Sequence, residues 1–290
     1  MPIDLHTHST ASDGTQPPAE VMASALAAGL DVVGLTDHDT TAGWDEASAA
    51  AVELGIDLVR GIEVSCQHDG ISIHLLAYLP DPTSPGLLAE INRSRESRET
   101  RAQRMVEALA EDLPITYEEV LAQTQPGTSL GRPHIADALV AKGLVRSRGH
   151  AFSRYLHHDS PYYMRYYAPD PIRAVQVVLE AGGVPVMAHP FAYKRGLVVH
   201  DEVIEAMAHA GLAGLEVYHR DHLDPDDPDD AGVDTVRRGL ALARQLGLFV
   251  TGSSDYHGAG KVNRLGEHTT DPAVLQQIEE RATGVPVVRQ

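Results

Sequence analysis

Ile3-Asp4-Leu5-His6-Thr7-His8-Ser9 runs from an apolar extended stretch into two histidines separated by one residue. On an extended chain residues i and i+2 face the same side, so the imidazoles of His6 and His8 can reach one ion. Asp13 follows in the next loop. The same arrangement recurs along the chain. A β-branched run at 32–36 leads into Asp37-His38-Asp39-Thr40, the run at 58–66 carries Glu63, and the run at 71–79 carries His74. His189 closes the run at 184–188, Glu216 lies in that at 214–218 with His219 directly after it, and 248–253 leads into Ser254-Asp255-Tyr256-His257. Seven expected strands thus present His, Asp or Glu at or near their C-terminal ends. That is the end at which α/β barrels assemble sites from groups on separate strands.

Amphipathic segments lie between these runs. Pro17 and Pro18 open one, with Gly29 placed to cap it. A second begins at Thr41 and passes through Trp44 and Val52 to Gly55. Others are expected at 170–181, 201–210 and 233–246. Strand and helix alternating along the chain favour a largely parallel sheet or an α/β barrel. Residues 85–169 break the rhythm. An Arg- and Glu-rich helical pattern at 92–110, a capping box at Thr116-Tyr117-Glu118-Glu119 and a helix at 133–142 ending before Gly143 read as a helical insertion. The expected organisation is a barrel from 1–84 and 170–290 with 85–169 as a cap over the substrate.

Composition narrows the function. The 290 residues carry 23 Lys+Arg against 41 Asp+Glu, a formal charge of −18, which argues against a broad nucleic-acid surface. Cys66 is the single cysteine, so neither an intrachain disulfide nor a Cys-based zinc finger is available. No basic, apolar leader opens the sequence, and no apolar run reaches the ~18 residues of a membrane span; a cytoplasmic location is the expectation. Seven Asp between 221 and 234 lack the spacing and closing Glu of an EF-hand and read as a solvated loop. Of the 16 His, those at 68, 150, 157, 158, 200 and 209 fall outside the strand-end pattern. The remaining donors are all N or O, a set suited to Mn, Zn, Fe or Mg and not to a thiolate-selected metal.

In order along the chain, the motifs Asp4-Leu5-His6-Thr7-His8-Ser9, Leu35-Thr36-Asp37-His38-Asp39-Thr40, Gly61-Ile62-Glu63-Val64-Ser65, Ala188-His189-Pro190 and Gly252-Ser253-Ser254-Asp255-Tyr256-His257 resemble the polymerase-and-histidinol-phosphatase (PHP) family of metal-dependent phosphoesterases. The resemblance implies a distorted seven-stranded β/α barrel and a centre of two or three divalent ions. It implies a first ion on His6, His8, Glu63 and Asp255, and a second on Glu63, His74 and His189. A third would sit on Asp13, His38 and His257. Within the family, Ser12-Asp13-Gly14 and Gly131-Arg132-Pro133-His134 are most similar to the branch of 3′,5′-nucleoside bisphosphate phosphatases and 5′-to-3′ exoribonucleases.

The implied reaction is phosphomonoester hydrolysis by metal-activated hydroxide, most simply loss of the 3′-phosphate from a 3′,5′-nucleoside bisphosphate, with short RNA 5′ ends as a further substrate. Asp37 and His219 are candidates for proton transfer to the leaving oxygen; Asp37 could instead orient His38. Arg132, ahead of Pro133 at the start of a helix, is a candidate phosphate ligand, with His134 assisting. Lys194 and Arg195, after His189, are further candidates. The tyrosines of 161–167 are read as core or hinge packing in preference to a base-stacking surface. Alternatives are another small-molecule phosphatase, such as one for histidinol phosphate, a C–N-hydrolysing amidohydrolase, and a metal-binding accessory protein without catalysis.

Overall fold

A computed structural model describes residues 1–125, 128–192, 198–222 and 231–289. Seven strands form one sheet in sequence order: β1 Ile3–Thr7, β2 Val32–Leu35, β3 Asp57–His68, β4 Ile71–Tyr78, β5 Val184–Met187, β6 Gly214–Tyr218 and β7 Phe249–Gly252. A parallel bridge between Thr7 and Tyr256 joins the chain beyond β7 to β1, so the sheet curls into a nearly closed barrel. Asp4 reinforces that seam by accepting from the backbone N–H of Ser254 at 3.0 Å and of Gly266 at 2.9 Å.

The sheet is largely parallel, as expected, with one reversed strand. β4 runs antiparallel to both β3 and β5. A hairpin at Asp69-Gly70, both with positive φ, reverses the chain directly after β3. His74 therefore lies in the first half of β4, not near its C-terminal end, and reversal carries it to the rim shared by its neighbours. Glu63 likewise sits mid-strand, because β3 is 12 residues long and runs on past the rim to His68.

Helices cover the outside. α1 Pro18–Ala27 and α2 Trp44–Leu54 bury Val21, Met22, Ala25, Ala47 and Ala51 against Val33, Leu35 and Leu58. Gly55 ends α2 in the left-handed region at φ 70°. α2 starts at Trp44 and not at Thr41, because Thr41 instead closes a turn with the Trp44 N–H. Between β4 and β5 run α3 Pro85–Ala110, α4 Tyr117–Leu121, α5 Arg132–Ala141, α6 Arg148–Ala151 and a π-helical turn Phe152–Leu156. Their apolar faces, including Met105, Leu109, Ile115, Val120, Ile135, Leu139 and Leu156, form a separate cluster. α7 Pro171–Glu180, α8 Asp201–His209, α9 Ala231–Leu246 and α10 Pro272–Arg281 complete the coat. Among the described residues no helix is long and apolar enough to cross a membrane.

Candidate metal centre

Parallel strands ending on one rim, plus the reversed β4, converge nine histidine and carboxylate side chains. His6 and His8 leave β1 fully buried, as pleat geometry requires of an i, i+2 pair on the inner face. Their Nε2 atoms lie 3.1 Å apart. Glu63 Oε2 is 3.1 Å from His6 Nε2, 3.0 Å from His8 Nε2 and 3.1 Å from His38 Nδ1. Its Oε1 is 2.6 Å from His74 Nδ1 and 3.3 Å from His189 Nε2. Asp255 Oδ1 completes the first set at 3.4 Å from His6 and 3.2 Å from His8. Asp13 Oδ1 lies 3.1 Å from His257 Nε2 and 3.8 Å from His38 Nε2.

Three groups result whose donor atoms all fall within 4.8 Å of one another: His6, His8, Glu63 and Asp255; His8, Asp13, His38 and His257; and His38, Glu63 and His74. The group around His74 thus contains His38 where His189 is expected; His189 falls outside it, with its Nε2 3.3 Å from Glu63 Oε1. Hydrogen-bond logic shows that these donors suit cations. His257 Nδ1 donates to the Asp255 carbonyl at 2.9 Å, which leaves a lone pair on Nε2 facing the Asp13 carboxylate. Two acceptors so placed repel unless a cation lies between them. Asp13 Oδ1, His38 Nδ1, Glu63 Oε2 and His257 Nε2 are all buried without a hydrogen-bond partner, the condition expected of ligand atoms.

Electrostatics agrees. Burial, aided by Lys261 and His8, pulls His257 down to about 4, so its imidazole is neutral. Burial opposes ionisation of Glu63, yet His38, His74 and His6 hold its carboxyl well below the usual range. Burial also disfavours His8 as a cation, but Asp255 and Glu63 raise it to about 9.

Further contacts hold these donors in place. Glu216 Oε1 accepts from His6 Nδ1 at 2.9 Å and Oε2 from the His189 N–H at 2.9 Å. Asp39 accepts from the N–H and hydroxyl of Ser65, each at 2.8 Å, and pairs with Arg98 at 3.2 Å. Asp39, His189 and Asp255 occupy the left-handed region at φ 52°, 30° and 54°. Three such non-glycine residues at one rim mark a site held against local backbone preference.

The proton-transfer and phosphate candidates separate. Asp37 does not meet His38: its carboxylate accepts from Ser9 N–H at 2.8 Å, Ser9 hydroxyl at 2.7 Å and Ser12 hydroxyl at 2.6 Å. It therefore braces the loop after His8. His219 is fully buried, and its Nδ1 accepts from the Asp221 N–H at 3.0 Å. Its Nε2 therefore carries the proton and lies 3.7 Å from Asp255 Oδ2 without a hydrogen-bond partner. Arg132 donates to the Leu156 carbonyl at 2.8 Å and packs by Phe152 and Tyr163. Both nitrogens of His134 are engaged, with the Gly131 N–H at 3.0 Å and the Ser12 carbonyl at 2.9 Å. Lys194, Arg195 and most of the Asp run lie outside the described residues. Glu216, Arg98, Arg101 and Lys261 join the site without having been singled out for a role. Lys261 Nζ reaches Asp255 Oδ2 at 2.8 Å. The tyrosines of 161–167 stack on arginines: Tyr166 lies 4.3 Å from Arg101 and Tyr167 3.6 Å from Arg93.

A nearly closed α/β barrel with clustered His and carboxylate donors at one rim defines the framework of a metal-dependent hydrolase. The PHP domain model matches residues 4–129. A 3′,5′-nucleoside bisphosphate phosphatase of Chromobacterium violaceum is 33% identical over 278 residues, 95% of this chain and 94% of that one. A 5′-3′ exoribonuclease of Haemophilus influenzae is 36% identical over 74% of this chain and 78% of its own. The solved structure of a metal-dependent phosphoesterase from Bifidobacterium adolescentis superposes with TM-score 0.91 at 40% identity, covering 98% of each chain. The chain belongs to the PHP family.

Proposed function

We propose that this enzyme removes the 3′-phosphate of 3′,5′-nucleoside bisphosphates, with short 5′-phosphorylated RNA ends as a second substrate of the same site. One observation carries the reading: a buried guanidinium with no counter-charge. Arg101 is 5% exposed, forms no ion pair among the described residues, and its Nε has no hydrogen-bond partner. Burial, opposed by Tyr166 and reinforced by Arg98 and Arg132, draws its pKa down to about 10. Arg98, one turn earlier on α3, has Asp39 as a partner and also feels Asp13 and Glu63. The arginine cluster therefore borders the carboxylate cluster. A buried cation is costly unless paired, and a phosphate accepts charge-assisted bonds from several guanidinium donors. A substrate with a second phosphate fills this position, whereas a lone phosphomonoester leaves it empty. The names of the two relatives support the same class.

We assign His6, His8, Glu63 and Asp255 to one ion, Glu63, His74 and His189 with His38 adjacent to a second, and Asp13, His38 and His257 to a third. Mn, Zn and Fe suit this N/O set best. Divalent ions held there supply acidification of water and neutralisation of charge on phosphoryl oxygens. Glu63 and Asp255 fix the ion positions, and Arg101 and Arg132 orient the non-reacting phosphate. His219 presents its Nε2 proton to the leaving oxygen. Residues 85–169 act as the cap that brings the arginines over a barrel formed by 1–84 and 170–290.

A substrate panel on Mn-loaded protein tests this reading. Adenosine 3′,5′-bisphosphate is expected to turn over faster than histidinol phosphate. Faster hydrolysis of histidinol phosphate would overturn the assignment.

A further inference from the structure

Four consecutive carbonyl groups of the loop that presents Asp13 are each held by a residue of the helical segment between β4 and β5. Thr128 Oγ1 donates to the Thr10 carbonyl at 2.9 Å, and the Ser129 N–H to that of Ala11 at 3.0 Å. His134 Nε2 donates to Ser12 at 2.9 Å, and Arg148 Nη1 to Asp13 at 3.1 Å. Inside the loop, by contrast, the Ser12 and Gly14 N–H groups share the one carbonyl of Ser9.

The donors are themselves fixed. Arg148 Nε and Nη2 form a two-pronged pair with Asp137, each bond 2.5 Å, so the third nitrogen is aimed at the loop. His134 is oriented by the Gly131 N–H on its other nitrogen. The barrel side is shaped to match. A Cβ on Gly260 would fall 2.3 Å from Arg148 Nη1, and one on Gly14 would fall 2.5 Å from the His8 carbonyl oxygen. Asp37 holds the opposite side of the loop through Ser9 and Ser12. Asp13 Oδ1 is left buried, without a hydrogen-bond partner, 3.1 Å from His257 Nε2.

We infer that the helical segment sets the affinity of the cation position formed by Asp13, His38 and His257, with Arg148, His134, Ser129 and Thr128 as positioning residues that hold the Asp13 loop in its binding shape. The inference rests on reading those three residues as ligands of one ion. A loop ordered in advance spares the entropy cost of ordering at the moment of binding. The other two positions draw their ligands from strands and strand ends and do not depend on this clamp.

The test is Mn2+ titration of the metal-stripped full-length protein, with bound ions counted per chain, for wild type, Arg148→Ala, Asp13→Asn and the double variant. Arg148→Ala is expected to weaken one ion by roughly 10–100-fold, the range seen when groups supporting metal ligands are removed, and to leave the others unchanged. In the Asp13→Asn background the same substitution should remove nothing further. If Arg148→Ala does not fold, Thr128→Val carries the test with a smaller, equally selective loss. Unchanged affinities, or an equal weakening of all ions, would overturn the inference. Loss of an ion in Asp13→Asn with none in Arg148→Ala sinks the clamp alone. Retention of every ion by Asp13→Asn removes the ligand reading and the clamp together.

Discussion

Glu216 Oε1 lies 2.9 Å from Nδ1 of His6, and both residues are completely buried. The bond makes Nδ1 of His6 a donor and turns Nε2 toward Glu63 and Asp255. Because the second Glu216 oxygen takes the His189 N–H, one carboxylate sets ligands from β1 and from the end of β5. An amide at this position offers one acceptor to two donors. Glu216→Gln is therefore expected to lower affinity for the first ion by about 10–100-fold while the protein stays folded, as measured by metal titration.

Arg101→Ala separates recognition of the second phosphate from the chemistry. A hydrogen bond to a charged group contributes about 1.5–3 kcal/mol, so kcat/KM for a nucleoside bisphosphate should fall roughly 10–100-fold. Hydrolysis of a plain monophosphate should hardly change. Steady-state kinetics on both substrates decides the matter, and an equal loss on both would place Arg101 in general packing.

Asp39 combines a left-handed backbone with the only carboxylate partner of Arg98 among the described residues. Asp39→Ala strands that guanidinium and puts a residue with no local hydrogen bond at φ 52°. Loss of one member of a buried pair costs about 3–5 kcal/mol, and urea denaturation should report a destabilisation of that order.

His222 supplies a pH dependence of stability. It is 2% exposed, donates from Nδ1 to the Val217 carbonyl at 2.8 Å and accepts the Phe191 N–H on Nε2 at 3.1 Å. Burial draws its pKa down to about 4. The unfolded chain binds this proton more readily, so the contribution is complete above pH ~6.5 and is lost as pH falls toward 4. The loss amounts to about 3 kcal/mol. The stability advantage of wild type over His222→Gln should shrink across that window; a gap independent of pH would contradict the assignment.

Particular residues show where the sequence spoke and where it could not. The His6-Thr7-His8 spacing and the donors following β2, β5 and β7 are legible because strand periodicity alone dictates which side chains share a face. The reversal of β4 was hidden: an apolar run reads the same in either direction, and Asp69-Gly70 is too short a signal to outweigh the alternating pattern. Arg98 and Arg101 sit in the Arg- and Glu-rich helical pattern at 92–110, where composition does not tell a buried arginine from an exposed one, and tertiary packing against Tyr166 reveals them as buried. Glu216 looked like another strand-end donor, and its role depends on a neighbour 210 residues away. Asp37 was visible as a functional acid, but its partners Ser9 and Ser12 lie on a loop whose path no local rule fixes.

Glu63 lies within 3.3 Å of histidine donors from both the proposed first and second ion positions, so the account stands or falls with it. The most direct measurement is phosphate release from adenosine 3′,5′-bisphosphate by Mn-loaded wild type and Glu63→Gln, with folding checked in parallel. Wild type should release the 3′-phosphate, and the folded variant should fall to background with fewer ions bound. A folded Glu63→Gln protein that hydrolyses the bisphosphate at the wild-type rate would contradict the metal centre described above.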